Sequence, residues 1–389
     1  MRIVDIREIA VPLEGNVANA LVNFSEHTVS LLAIVTDVLR QGKPVCGVAF
    51  NSIGRFAQGG LLRERFIPRV LQCKPDELLA ADGRSFSPAA VHRAAMRNEK
   101  PGGHGDRAAA VGALELAVWD LNAKLADEPA HQTIARAANR PASVGLIPVY
   151  AAGGYYYPQD SHNRLRDELA GYRDLGFADF KIKIGGDSLQ NDLERVRCAV
   201  DVAGGGQHIA VDANGRFDQP AAERYADALA PLNLRWFEEP GDPLDFGLNA
   251  QFIAHYGLPV ATGENLFSAV DTLNLLRHGG MRAGVDVFQM DAGLSYGLTE
   301  YLRIIDVLET HGFSRAQVLP HGGHLINLHI VAGLGLGGCE VYPGVFQPFG
   351  GYPAACMAAE GLARPTDAPG FGLEQKSELR PALARLLAA

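Results

Sequence analysis

The chain has 389 residues, 47% of them apolar and 20% charged, which is enough to bury two packed domains, and no apolar run approaches the roughly 18 residues of a membrane helix. Its formal charge of −9 argues against a general nucleic-acid or anionic-membrane partner, because such binding rests on concentrated Lys and Arg. Cys46, Cys73, Cys198, Cys339 and Cys356 are odd in number and form no Cys-x-x-Cys pair, so they read as reduced thiols; with an N-terminus that lacks signal-peptide character, a cytoplasmic location is expected.

The first unit runs to about residue 140. Ile3 to Pro12 alternates apolar and charged residues like an edge strand, and Val29 to Val38 and Val45 to Phe50 have strand character. A Gly-rich loop, Gly54 to Gly60, precedes helical patterns at Leu61–Leu71, Ser87–Asn98 and Arg107–Leu125. Strands followed by helices predict a small α+β domain over 1–140.

From Ile147 the pattern alternates. Strands are predicted at Pro148–Ala152, Phe180–Ile184, Ile209–Asp212, Arg235–Glu238, Val260–Gly263, Val285–Met290, Ala316–Pro320 and Gly338–Tyr342, separated by helices such as Arg164–Leu175, Leu189–Val202, Pro220–Leu229 and Tyr296–His311. This alternation predicts a β/α barrel over 141–354. The last connection, Ala332 to Gly338, is short and Gly-rich, so the final helix is expected to be missing or degenerate. The segment 355–389 is long enough to return to the first domain.

Four acids end successive predicted strands: Asp212, Glu238, Glu264 and Asp291, at intervals of 26, 26 and 27 residues. One strand plus one crossover helix fits that interval, so the acids fall at the same end of parallel strands. Asp212, Glu238 and Glu264 are the proposed ligands of a hard divalent cation, since unpaired carboxylates brought so close would repel and one would take up a proton. All-oxygen ligation with open positions suits Mg²⁺. Any one of these acids alone reads better as a helix cap or loop residue; three in register do not. Glu239 points differently on an alternating strand and reads as a supporting or salt-bridging residue.

Lys181 and Lys183 are two apart, so strand alternation sends both to one face. Two lysines facing a barrel interior are costly unless they serve a site, and their mutual repulsion together with a nearby cation would lower Lys183 towards neutrality and make it a usable base. The competing reading is a solvated outward pair. Asp291 and His321, at the ends of neighbouring strands, could hydrogen-bond and fix the imidazole tautomer, with His324 of the same Pro-His-Gly-Gly-His turn as the competitor. Glu340 faces the mouth from the eighth strand and could donate a hydrogen bond to a substrate carboxylate if its surroundings keep it protonated.

These residues together resemble the enolase superfamily, and within it the mandelate racemase-like acid-sugar dehydratases, over essentially the whole chain. The resemblance rests on Lys181-Ile-Lys183, on Asp212, Glu238 and Glu264, on Asp291 with His321, and on Glu340. It implies a modified TIM barrel, (β/α)7β, under an α+β capping domain completed by the C-terminal segment. It also implies Mg²⁺-assisted removal of the proton α to a carboxylate, with Mg²⁺ stabilising the enediolate, Lys183 as base and His321 as acid. Dehydration to a 2-keto acid, racemisation and epimerisation remain open on residue identity, as does a non-catalytic metal-binding scaffold.

The substrate expectation rests on the cap. There Lys100, in Asn98-Glu-Lys-Pro-Gly-Gly-His-Gly105, places a cation in a rigid turn, with a solvated loop an equal reading, and the resemblance implies a purpose for it, pairing with the second carboxylate of a short hydroxy diacid such as D-tartrate, which would give oxaloacetate. Asn214, Asn51, His324 and the Leu21–Ser25 segment are further candidates for substrate contact. Resemblance also implies a homo-oligomer, a dimer or an octamer.

Overall fold

The computed structural model describes residues 1–388 other than 16, 142–144, 158–160 and 359. The N-terminal part is an antiparallel sheet, β1 (Ile3–Pro12), β2 (Thr28–Arg40) and β3 (Lys43–Phe50), in that spatial order. Its buried face packs on the long helix α1 (Asp106–Ala126). That helix is buried over Ala108–Ala123 and its pattern is apolar nearly all round. Among its polar residues, Asp120 accepts from the Val48 and Phe371 amides, so one buried carboxylate ties the sheet, the helix and the C-terminal segment together. The last helix, α2 (Arg380–Ala388), packs on β1 and β2, which fixes the chain end to the N-terminal sheet.

Seven strands form the parallel barrel sheet. They are β4 (Ile147–Ala152), β5 (Phe180–Lys183), β6 (Ile209–Asp212), β7 (Trp236–Glu238), β8 (Val260–Thr262), β9 (Val287–Phe288) and β10 (Cys339–Val341), with β10 beside β4 and the rest in chain order. A short β11 (Leu362–Ala363) adds antiparallel to β4. The seventh barrel position, expected as a strand over Ala316–Pro320, is a capped 3-10 turn at Arg315–Gln317 followed by a single parallel bridge, Phe288 to Val318. Leu319 N–H donates to Phe288 O and Gly337 N–H to Val318 O, which closes the ring between β9 and β10.

One expectation is corrected. The connection into β10 is not devoid of a helix: Leu325–Leu334 is helical. Nine of its ten residues are buried, and it packs on the helix Ala130–Ala137. A helix covered on every side carries no polar stripe, so its sequence has no amphipathic period to read.

Along β5 to β8 side chains alternate between the two faces of the sheet. Ile182, Ile184 and Val211 join the main apolar core outside the sheet, and Tyr150, Ala210, Trp236, Ala261 and Leu319 form a separate cluster inside it. That inner cluster is the floor on which the polar site stands.

Candidate active site

The strand register sets the site. Lys183 pairs with Asp212 and Asp212 with Glu238, so a lysine and two carboxylates lie side by side at the ends of three adjacent strands. Glu264 follows β8, and one carboxylate oxygen from each of Asp212, Glu238 and Glu264 lies within 4.8 Å of the others. Burial first, and then the Asp212 charge, push the Glu238 carboxyl up to about 8. Burial, followed by Glu264 and Asp212, raises Glu239 well above the ordinary carboxylate range. This is a hard-donor set with unrelieved negative charge, and its chemistry fits a divalent cation.

Both lysines of the Lys-x-Lys pair point into the barrel. Lys183 donates to Asp212 Oδ2 at 2.5 Å and sits over the Tyr155 ring, 5.5 Å from its centroid. Lys181 is 1% exposed, with Nζ 2.6 Å from Glu238 and 2.7 Å from Glu340. Burial opposes its charge, but Glu238 and Glu340 outweigh it and raise Lys181 well above the usual lysine range. Glu340 is therefore not a protonated donor. Burial raises its carboxyl, but the Lys181 and His321 charges more than reverse this, and it accepts from the Gly322 amide at 2.9 Å. It is a buried counter-ion and does not line the cavity.

His321 Nδ1 lies 3.4 Å from Asp291 Oδ2, and Nε2 lies 3.1 Å from the Tyr342 hydroxyl and 3.7 Å from Glu264. Burial works against its charge, yet Glu264, then Asp291 and Glu340, push it up to about 9. Asp291 is oriented by the Gly293 amide at 2.8 Å and by the Ser52 hydroxyl from the cap. Gly322 has φ +112°, and a Cβ there would lie 2.6 Å from both Asp291 Oδ2 and Ser52 Oγ, so glycine is what lets the turn cross this network.

Three further sequence candidates do not reach the cavity. His324 caps Leu325–Leu334 and shares a 3.0 Å hydrogen bond with Ser52; burial lowers it to about 4, which leaves a neutral structural ring. Asn51 accepts from Ser30 N–H at 2.7 Å and donates to Phe56 O at 3.2 Å, which shapes the loop that follows it. Lys100 is exposed, and its loop is drawn to α1 by Arg107, which donates to Lys100 O and Gly102 O and pairs with Glu99.

The cavity has a volume of about 240 Å³. Its floor carries Lys183, Asn214, Glu239, Glu264 and His321, while Asn19, Leu21, Val22, Phe24 and Arg55 approach from the cap. Asn214 donates to Asp212 through its backbone N–H at 2.8 Å, and among the described residues its Oδ1 has no partner. Sequence reasoning missed Arg55, Ser52, Tyr155 and Tyr342. The first two come from the cap by long-range packing. The tyrosines carried a local signal, since Tyr155 follows the first barrel strand and Tyr342 the last.

A family model described as Enolase C-terminal domain-like matches residues 164–379. The chain is 29% identical over 238 residues to an arabinonate dehydratase of Saccharolobus solfataricus, covering 60% of each. It is 30% identical over 233 residues to a 3,6-anhydro-alpha-L-galactonate cycloisomerase of Streptomyces coelicolor, covering 59% of each. It thus spans about 60% of the length of these curated relatives. Its fold is shared with a racemase from Streptomyces coelicolor A3(2) solved with bound magnesium, at TM-score 0.77 and 21% identity over 98% of both chains. An L-talarate dehydratase from Polaromonas sp. JS666, complexed with Mg and L-glucarate, matches at TM-score 0.71 and 22% identity over 95% of this chain and 94% of that one. With the family model covering more than half of its length, the chain belongs to the enolase C-terminal domain-like family of the enolase superfamily.

Proposed function

We propose that this protein is a divalent-metal-dependent hydro-lyase that removes the α-proton of a hydroxy acid and expels the β-hydroxyl, giving a 2-keto acid. The observation that carries this reading is that Lys183, at the end of β5, and His321, in the turn after the Val318 bridge that stands at the seventh barrel position, line one cavity, with Glu264 after β8 between them on the ring. Asp212, Glu238 and Glu264 would hold Mg²⁺, which would supply positive charge beside the substrate carboxylate. Lys183 takes the α-proton. His321, oriented by Asp291, supplies a proton on the other side, so water leaves anti to the proton removed.

The substrate reading is a short diacid, D-tartrate going to oxaloacetate. The cavity is smaller than the roughly 300–1,000 Å³ of sites for drug-sized ligands. Its cap-side cation is Arg55, held over the Phe267 ring at 5.4 Å and hydrogen-bonded to Asn265, which suits a distal carboxylate. The free Oδ1 of Asn214 suits a substrate hydroxyl.

Two proton-transferring groups facing each other also suit racemisation of a 2-hydroxy acid. One experiment separates the readings: incubating the protein with a panel of mono- and diacid sugars, with Mg²⁺ or with chelator, and assaying 2-keto acid. Mg²⁺-dependent keto acid from D-tartrate is expected. Exchange or inversion without keto acid from any member would overturn the dehydratase reading.

A further inference from the structure

Arg55 brings a positive charge to a cavity whose floor is acidic. Among the described residues no carboxylate lies within ion-pair distance of its guanidinium, although Glu239 and Glu264 line the same cavity. One amide stands between them. Asn265, in the loop after β8, directs Nδ2 at both Glu239 oxygens at 2.9 Å and at Glu264 Oε1 at 3.3 Å, and its Oδ1 accepts from Arg55. A guanidinium can only donate, so the amide oxygen must face Arg55 and the Nδ2 hydrogens the acids. Two further contacts fix where Arg55 points: it lies over the Phe267 ring, 5.4 Å from the centroid, and Nη1 donates to Gly54 O at 3.2 Å. The loop after β8 thus supplies both the ring and the amide that hold this cap side chain.

We propose that Asn265 is a positioning residue that keeps Arg55 off Glu239 and Glu264 and so reserves its charge for the distal carboxylate of a diacid, a role that rests on the diacid reading above. Arginine is long and flexible and forms strong charge-assisted hydrogen bonds with carboxylates, so without the amide it would fold onto the nearby acids. That collapse has two consequences. The distal carboxylate loses its partner, and a cation seated on Glu264 competes with a divalent ion for the same oxygens. Asn265 therefore acts through Arg55, and a shorter side chain at this position removes the separation without adding a charge.

A double-mutant cycle tests this with Mg²⁺ alone as the first probe. Calorimetric Mg²⁺ binding is measured for wild type, Asn265→Ala, Arg55→Met and the two combined. Asn265→Ala should weaken Mg²⁺ by about ten- to a hundredfold, the range for losing a partner of a metal ligand. In the Arg55→Met background the same substitution should leave Mg²⁺ affinity within about twofold, because no cation remains to collapse. Equal losses in both backgrounds would mean that Asn265 merely supports the acids, and would overturn the proposal, as would unchanged binding in Asn265→Ala. Asn265→Ser, also too short to reach Arg55, takes the place of the Ala variant if that fails to fold. The second arm measures calorimetric binding of succinate and butyrate, which have no hydroxyl to expel, at saturating Mg²⁺. Wild type should prefer the diacid, and Asn265→Ala and Arg55→Met should both lose that preference. A preference lost in Arg55→Met but kept in Asn265→Ala would overturn the proposal. Wild type without any preference would overturn the diacid reading of Arg55 and the reserved charge with it, whereas the Mg²⁺ cycle decides separately whether Asn265 holds the cation and the acids apart.

Discussion

Replacing Lys181 with Met tests the electrostatic frame of the site while leaving its proposed base and its proposed metal ligands unsubstituted. Lys181 is 1% exposed, lies 2.6 Å from Glu238, 2.7 Å from Glu340 and 3.8 Å from Asp212, and so neutralises carboxylates that have no access to water. Removing one partner of a buried ion pair costs about 3–5 kcal/mol, and since two close carboxylates lose the same cation here, a loss at the upper end is expected. Left alone, Glu238 and Glu340 would have raised pKa values in the folded state. The folded variant would then bind more protons than the unfolded chain at neutral pH, so its deficit relative to wild type shrinks as pH falls. Mg²⁺ would compensate Glu238 but not Glu340, and should recover only part of the loss. Urea unfolding followed by circular dichroism, in chelator and in Mg²⁺ at two pH values, reads each term. A variant with the wild-type urea midpoint in chelator would refute the reasoning, and complete recovery by Mg²⁺ would remove Glu340 from it.

Asp212→Ala and Glu264→Ala should abolish calorimetric Mg²⁺ binding and turnover while leaving the circular dichroism spectrum unchanged; Mg²⁺-dependent turnover in either variant would contradict the ligand set. Arg55→Met should lower kcat/KM for a diacid by about ten- to a hundredfold, corresponding to a charge-assisted contact of roughly 1.5–3 kcal/mol, with a monoacid unaffected. Lys100→Met should change neither, and equal losses for both acids in the Arg55 variant would count against its role. Burial lowers His324 from 6.5 to about 4 and holds His329 well below its ordinary value, so below pH 6.5 the unfolded chain binds protons at these rings that the folded chain does not. His324 should therefore contribute a loss of about 1.4 kcal/mol per pH unit below pH 6.5, about 3 kcal/mol by pH 4, read as the difference between wild type and His324→Asn because the raised Glu238 and Glu239 carboxyls act in the opposite sense in both proteins. A His324→Asn protein whose urea midpoint falls as steeply as that of wild type between pH 6.5 and 4.5 would contradict this.

The barrel was legible because each of its strands had to reconcile an apolar outer face with a polar end. The alternation of Ile182 and Ile184 with Lys181 and Lys183 records that directly, as do carboxylates recurring at one-strand-one-helix intervals. The helix Leu325–Leu334 was illegible for the converse reason: it is buried all round and shows no period. Glu340 was misread because its charge state depends on Lys181, two strands away across β4, a neighbour that no local pattern reveals. The cap residues follow the same logic. Asn51 resembles a ligand-binding residue in sequence but satisfies the Ser30 N–H of β2 and the Phe56 carbonyl of its own loop, whereas Arg55, four residues on, is the side chain that loop delivers to the cavity.

The central claim is that Lys183 and His321 act on opposite sides of one substrate, and it is tested most directly by proton NMR of D-tartrate in D₂O with Mg²⁺. Wild type should convert it to oxaloacetate. Lys183→Ala should neither exchange the α-proton nor dehydrate, whereas His321→Asn should exchange deuterium into recovered substrate without forming keto acid. A His321→Asn protein that dehydrates at the wild-type rate, or a Lys183→Ala protein that still exchanges, would contradict the account.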